Sequence, residues 1–484
     1  MMLPVTLQKK HWAMLMVFLA ALLLFGMGHR GLDEPDEGRY ADIGQEAGAA
    51  GHSWLEPTLL ELGHYDKPPL IYGATALGFS VFGLNEWAAR LPSLVGALLT
   101  LVGVGWVAAR LYGARLAWLA VLVAGTLLHI WALGRVLTPD MFLTGWCTLA
   151  IAAWVETRHR GGGWGWWILQ VLFWTLALWT KATPALVPLL GLALYVYLTG
   201  GRAARRALKL PLLLPLILLL GLPWFLYVVH VHPGLKDFYL DRELAARLSG
   251  HIKGRHEPVY YYLLTSLAAW LPWWPLALFA LIRQRRRVFA RGDSWRKALS
   301  LEVTIAGVGL LVFSAVPSKM YTYTLPLAPW TALAMSRVLM AEVVLVETPV
   351  LAGMVGATAV AYVAIALAAP HYESKQGRNS SLAQVTAFLH QQGAKGVHAD
   401  HLWPSLEFYW SEDFHFTGVV APVEIPADQA HVAEHFESAV PVVPGQGNWF
   451  IHYRKQEENP FRKWMKDPAT PKTTIGDFVV GPLE

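Results

Sequence analysis

"LPSLVGALLTLVGVGWVAA", residues 91–109, decides the class of fold: 19 successive residues carry no charge, and Arg110 follows at once. At a rise of about 1.5 Å per residue, a helix of that length matches the roughly 30 Å hydrocarbon core of a bilayer. Similar runs recur to either side, at roughly 12–29, 116–134, 141–156, 165–180, 183–199, 210–229, 260–282, 299–316, 321–340 and 348–369. About eleven transmembrane helices are therefore expected, and the chain reads as an all-α polytopic membrane protein. Composition agrees, with 55% hydrophobic and 15% charged residues in 484, and a mean hydropathy of +0.38. The 23 Trp and 17 Tyr cluster at segment ends, as in "GGGWGWWILQ" and "AWLPWWPLAL", where amphipathic rings anchor at headgroup depth. The single Cys147 lies inside an apolar run, which excludes an intrachain disulfide and a Cys-based metal site.

A net charge of +5 would suit an anionic polymer, but the placement of the cations has a simpler cause. Counting from a cytoplasmic N-terminus, alternate loops receive Lys9 and Lys10, Arg110 and Arg115, Arg158 and Arg160, "GRAARRALK", and "RQRRRVFARGDSWRK". That regularity is the positive-inside pattern, and it predicts the N-terminus in, the C-terminus out, and no nucleic-acid partner. Residues 1–28 lack an Ala-x-Ala cleavage site and are read as an uncleaved first helix. The run 70–88, "LIYGATALGFSVFGLNEWA", is interrupted by Gly73, Gly78 and Gly83 and is expected to lie along the outer interface. Residues 1–370, with outer loops 30–90 and 230–259, thus form the transmembrane domain. Past residue 370, "HYESKQGRNSS" is polar; "SLAQVTAFLHQQG" then reads as helix, and "NWFIHYR" and "FVVGP" as strands. Residues 371–484 are expected to fold as a small extracytoplasmic α/β domain.

The acids concentrate in the first outer loop. Residues 30–69 carry Asp33, Glu34, Asp36, Glu37, Asp42, Glu46, Glu56, Glu61 and Asp66 against Arg30, Arg39 and Lys67. Pro35 suits the start of a helix, and acids in its first turn oppose the helix dipole, which explains one or two of them. At helical spacing Asp36, Arg39, Tyr40 and Ile43 share a face, so a carboxylate, a guanidinium and a phenol can converge. A carboxylate there can take a proton from an attacking hydroxyl or hold a metal, with Glu37 in support, and Arg39 can hold a phosphate. In "GHYDKPPLIYG", Pro68 and Pro69 stiffen the chain behind Asp66 and Lys67.

Three further outward turns set polar groups against apolar helices: "GRVLTPDMF" with Arg135 and Asp140, "LWTKATPAL" with Lys181, and "AVPSKMYTYTLP" with Ser318, Lys319, Tyr321 and Tyr323. Ionisable groups at membrane depth are costly unless paired or functional, so together these suggest an outer-leaflet cavity. The loop 230–259 adds His251 and His256, imidazoles able to bind a divalent ion, although no fixed-spacing zinc signature occurs. Neither a P-loop nor a dinucleotide fingerprint is present, so no nucleotide cofactor is expected and an activated donor would be carried by lipid.

These residues resemble a family. "PDEGRYADIGQEA" is similar to the PDE-x-RYA-x-I-x-x-E motif of GT-C class membrane glycosyltransferases, the group of protein O-mannosyltransferases and the 4-amino-4-deoxy-L-arabinose lipid A transferase. In order along the chain follow "YDKPPLIYG" with "VFGLNEWAARLPS", "GRVLTPDMFLTG", "WTKATPAL", "GLPWFLYVVHVHPGLKDFYLDRELAARL" and "FSAVPSKMYTYTLPLAP", covering roughly the first 330 residues. Lys181 is followed by Ala182 where the family commonly has glycine.

The resemblance implies a GT-C fold in the inner membrane of a bacterium. It implies inverting transfer of a sugar from a polyprenyl-phosphate donor, outside the cytoplasm, to an envelope glycolipid or a protein. By motif position Asp36 is the catalytic aspartate, and Asp140 matches a second acid at the cavity. Asp66 and Lys67 match a pair that holds metal and donor phosphate, and Lys319, Tyr321 and Tyr323 match a region near the donor. A lipid or sugar transporter is the rival from another class. It would need ionisable groups near mid-membrane, and the chain shows no repeated halves.

Overall fold

The structure, a computed structural model, describes residues 8–33, 35–59, 62–245, 256–289, 300–341 and 349–376, and of the remainder 379–394, 396–399, 403, 405–409, 415–419, 448–453, 465, 470–475 and 478–483. Glu34, Glu61 and His251 lie outside the described residues. The chain divides into two compact units, Met1–Phe25 with Pro92–Val363, and Gly26–Leu91 with Ala364–Glu484. The expected division left loop 30–90 with the transmembrane helices; the compact grouping joins that loop to the C-terminal segment instead.

The first unit is helical. Each of its expected spans contains helix, but only some are single uninterrupted rods. Leu91–Tyr112, Gly201–Val231 and Pro349–Pro370 are long and apolar enough to cross a membrane, and a fourth span results if the pair Tyr261–Ala269 and Trp273–Arg283, bent by 101°, is taken together. Ala114–Gly125, Ala182–Leu198 and Leu301–Ala315 are apolar but shorter. The expected helix over 321–340 opens instead as a 3-10 segment, Tyr321–Leu327, before Ala328–Met340 becomes α-helical. Pro326 and Pro329 explain this: neither supplies an N–H, and each disfavours the α conformation in the residue before it.

Small residues let two helices of this unit meet backbone to backbone. A Cβ on Gly145, in Pro139–His159, would fall 2.7 Å from the Gly96 carbonyl oxygen in Leu91–Tyr112. The Ser93 hydroxyl donates to the Thr138 carbonyl at 3.2 Å just below. Such close approach is how membrane helices gain van der Waals contact where lipid gives no hydrophobic driving force. It also fixes the N-terminal turn that carries Asp140.

In the second unit, helix Asp36–Ala47 rests on helix Leu70–Phe82; a Cβ at Gly44 would come within 2.5 Å of the Thr75 methyl. A two-stranded ladder, Thr58–Leu59 against Leu62–Gly63, turns the chain between them. The C-terminal part carries helix Asn379–Gln391 and a five-stranded mixed sheet. Gly396–Ala399 pairs in parallel with His415–Val419 and Asn448–Tyr453, while Phe478–Pro482 runs antiparallel to Asn448–Tyr453 and to Thr473–Ile475. Leu382, Val385 and Leu389 of the helix pack on Val397, Ile451, Phe478 and Val480 of the sheet. Their i, i+3, i+7 and alternating spacings are those of one helix face against one sheet face.

Candidate active site

Helix Asp36–Ala47 starts behind Pro35, which needs no N–H partner there. The Glu37 and Gly38 amides donate to the Asp33 carbonyl at 2.7 and 3.3 Å, and the Asp33 amide donates back to Glu37 Oε2 at 3.0 Å. The turn thus satisfies its own first donors. Asp36 and Glu37 are neighbours about 100° apart around the helix, so they face different surroundings.

Glu37 points inward onto Arg90, and both side chains are fully buried. Arg90 Nε and Nη2 donate to the two Glu37 oxygens, each at 2.8 Å. Its remaining hydrogens reach the carbonyls of Met27 at 2.6 Å, Arg30 at 2.9 Å and Gly31 at 2.8 Å. A guanidinium has five N–H groups, and all are used. Arg30 adds a contact to Glu37 Oε2 at 2.9 Å. Sequence reasoning placed Glu37 beside Asp36 as a supporting catalytic acid; its oxygens are instead engaged in tying the loop together, and Arg90 went unassigned.

Asp36 keeps 44% of its side chain exposed and pairs with Arg39 Nη2 at 2.8 Å, as the helical spacing anticipated. The Arg39 guanidinium lies 5.4 Å from the Tyr40 ring centre, and Tyr40 stacks on Tyr72 with centroids 6.0 Å apart. The Tyr72 hydroxyl donates to Asp66 Oδ1 at 3.3 Å, His64 Nε2 meets the same oxygen at 2.7 Å, and Lys67 Nζ meets Oδ2 at 2.9 Å. Burial alone would raise the Asp66 carboxyl, but Lys67, the charge and hydrogen bond of His64, and Arg39 outweigh it and hold it well below the usual range. Burial raises the Tyr40 phenol, against the pull of Arg39 and Lys67, so it stays a neutral donor. His64 is a further residue that the sequence reading missed. Its signal was the spacing of "HYD", which sets residues 64 and 66 on one side of an extended segment.

The first unit holds a second group. Asp140 sits in the first turn of Pro139–His159, and its Oδ1 receives Lys181 Nζ at 2.8 Å, with both residues buried. Lys181 occupies the break between helices Trp164–Thr180 and Ala182–Leu198, in extended conformation (φ −161°), so its side chain leaves the helix line. Its ammonium lies 5.0 Å from the ring centre of Tyr323, which packs with Phe313 and Tyr262. Lys319 Nζ donates to the carbonyls of Glu257 at 3.0 Å and Val316 at 2.7 Å, which fixes the loop before the 3-10 segment. Tyr321 is 55% exposed. Arg135 donates to the Phe25 carbonyl, capping helix Lys9–Leu24, and covers the Trp131 ring at 4.7 Å.

The expected metal set is not assembled among the described residues. Asp66 faces a lysine, an imidazole and a phenol, and His256 is exposed and pairs through its backbone with Ser318. No three His, Cys, Asp or Glu side chains among the described residues come together to hold an ion. Asp66 and His256 as placed do not fit a divalent metal.

The sequence profile of the dolichyl-phosphate-mannose-protein mannosyltransferase family matches residues 66–229. The undecaprenyl phosphate-alpha-4-amino-4-deoxy-L-arabinose arabinosyl transferase of Enterobacter sp. (strain 638) is 28% identical over 333 residues, 67% of this chain and 58% of that protein. Its counterpart in Edwardsiella ictaluri (strain 93-146) is 30% identical over 328 residues, 65% of this chain and 57% of that one. The matched region thus spans less than two thirds of these relatives' length. Among solved structures, ArnT from Cupriavidus metallidurans bound to undecaprenyl phosphate superimposes with a TM-score of 0.77 at 20% identity, over 98% of both chains. The chain has the ArnT fold. The resemblance read from the motifs is borne out at the level of the GT-C class. The ArnT fold also extends over the last third of the chain, where the motifs were silent.

Proposed function

We propose that the protein is a polyprenyl-phosphate-dependent, inverting glycosyltransferase of the cell envelope, and that Asp36 is its base. The observation that carries this is the Asp36 carboxylate, 44% exposed and paired with the buried Arg39, on the helix whose Tyr40 stacks on Tyr72 of the Asp66, His64 and Lys67 cluster. One group is open to take a proton, and cations next to it are held in fixed positions.

The acceptor hydroxyl gives its proton to Asp36 as its oxygen attacks the anomeric carbon. The bond from that carbon to the donor phosphate oxygen breaks, and the polyprenyl phosphate departs with the electron pair. Arg39 and Lys67 offset the charge that develops on the phosphate; both are already positioned by Asp36 and Asp66, so little reorganisation is needed. If the acceptor is itself a phosphate, Asp36 orients it and takes no proton. Within the first unit, Asp140 pairs with Lys181 and Lys181 faces Tyr323, a second buried charged group that we assign to substrate binding. Glu37 and Arg135 hold backbone. The relatives' names favour 4-amino-4-deoxy-L-arabinose as the sugar and undecaprenyl phosphate as the carrier; an envelope glycolipid of the lipid A kind is the acceptor proposed here. The chain lies in the bacterial inner membrane with its N-terminus cytoplasmic and both acidic groups and the C-terminal segment outside.

Purified protein in lipid, given an undecaprenyl-phosphate-linked aminoarabinose and a lipid A acceptor, should yield an acceptor heavier by one pentosamine residue in mass spectrometry. No mass shift, with donor shown to bind, would exclude this donor and acceptor pair.

A further inference from the structure

The C-terminal segment makes a specific contact with the acid-bearing loop within the second unit. The Leu32 amide, 377 residues away in sequence, donates to the Tyr409 phenol oxygen at 2.9 Å, and Leu32 is fully buried. The Glu86 carboxylate, at the start of helix Glu86–Ala89, lies near the same phenol and raises it. Beside it Phe408 packs on Phe79 of helix Leu70–Phe82, ring centres 5.7 Å apart. The short helix Ser405–Tyr409 is anchored in turn: Leu406 belongs to the core of the sheet, and Trp403 meets Phe478 edge-on at 5.2 Å.

Leu32 stands among the backbone atoms that Arg90 grips, between the carbonyl of Gly31 and the amide of Asp33, which bonds Glu37. Two residues from distant parts of the chain therefore hold the same few peptide units, immediately ahead of the helix that carries Asp36. The Arg90 grip takes up carbonyl oxygens and leaves the Leu32 N–H, and a buried amide hydrogen without an acceptor is unfavourable. Tyr409 supplies the acceptor. Burial, with Glu86 beside it, raises this phenol, so it remains protonated and can donate and accept at once.

We propose that Tyr409 is a positioning residue: its phenol, carried on the C-terminal segment, fixes the backbone at Leu32 and thereby the setting of the Asp36 carboxylate during sugar transfer. The catalytic part of this inference rests on the proposed transferase activity. The contact itself does not.

Tyr409→Phe tests it by two readouts. Hydrogen–deuterium exchange over residues 28–40 should quicken by about fivefold or more, the scale of one lost hydrogen bond. Exchange in Asn448–Tyr453 and Phe478–Pro482 should stay as in the wild type. In the transfer assay kcat should fall about five- to tenfold with donor KM and the stoichiometry of undecaprenyl phosphate binding unchanged. Unchanged exchange over 28–40 would overturn the proposal, as would a loosened loop with undiminished kcat. Loss of protection across the sheet would also overturn it, by showing that Tyr409 serves the sheet's stability. A wild type that transfers no sugar would instead refute the transferase assignment, while the exchange arm would still decide whether Tyr409 holds the loop.

Discussion

Arg90→Lys should unfasten the first outer loop, and its size can be worked from the contacts. Lysine keeps the charge but offers three hydrogens where arginine offers five, from a single nitrogen and not a planar fork. Arg90 serves five acceptors: both oxygens of Glu37 and the carbonyls of Met27, Arg30 and Gly31. At least two of these lose their partner. Each buried acceptor left unmade costs about 1–3 kcal/mol, so a loss of roughly 2–6 kcal/mol is expected, concentrated in residues 27–37. The charge of Glu37 stays partly compensated by Arg30, which keeps the loss below that of deleting the cation altogether. Thermal unfolding of the purified protein, followed with proteolysis of the loop, measures it: Arg90→Lys should expose a cleavage site between residues 27 and 35 and lower transfer by at least tenfold. A variant with wild-type proteolysis and turnover would refute the inference that this guanidinium sets the loop.

Other outcomes follow from the buried pairs. Asp66→Asn leaves Lys67 and His64 facing a neutral amide and should cost about 3–5 kcal/mol at pH 7. Because the folded Asp66 carboxyl titrates well below its unfolded value of about 3.9, its contribution is fully present above that value and is lost as pH falls through the lower, folded one. Wild type and variant should therefore differ by a constant amount from pH 7 to 5 and converge only below about pH 4 in pH-dependent melting. In the first unit, Asp140→Asn and Lys181→Met should each destabilise strongly, while the double variant should recover part of the loss, because the second change removes the stranded partner. Strict additivity in unfolding free energy would show that the 2.8 Å pair contributes nothing specific.

Local chemistry was legible in the sequence to the extent that its partners were local. The pairing of Asp36 with Arg39 follows from a three-residue helical step, and that of Lys67 with Asp66 from adjacency beside two prolines. Glu37 and Arg90 are 53 residues apart, and three of the five acceptors of Arg90 are backbone carbonyls, which no residue pattern encodes. The same holds for Tyr409 and Leu32, so the grouping of loop 26–91 with the C-terminal segment could not be read from the boundary in composition at residue 370. Apolar length located the helical segments well. It could not show that 321–340 begins as a 3-10 turn, although Pro326 and Pro329 stood as the signal, nor the 101° bend between Ala269 and Trp273.

The most direct measurement compares Asp36→Asn with the wild type in single-turnover transfer from an undecaprenyl-phosphate-linked sugar. Asparagine keeps the size and one oxygen facing Arg39 but cannot take the acceptor proton. If Asp36 is the base, the rate should fall by about 10²–10⁴-fold while undecaprenyl phosphate still binds. Transfer within a few-fold of wild type would contradict its assignment as the base.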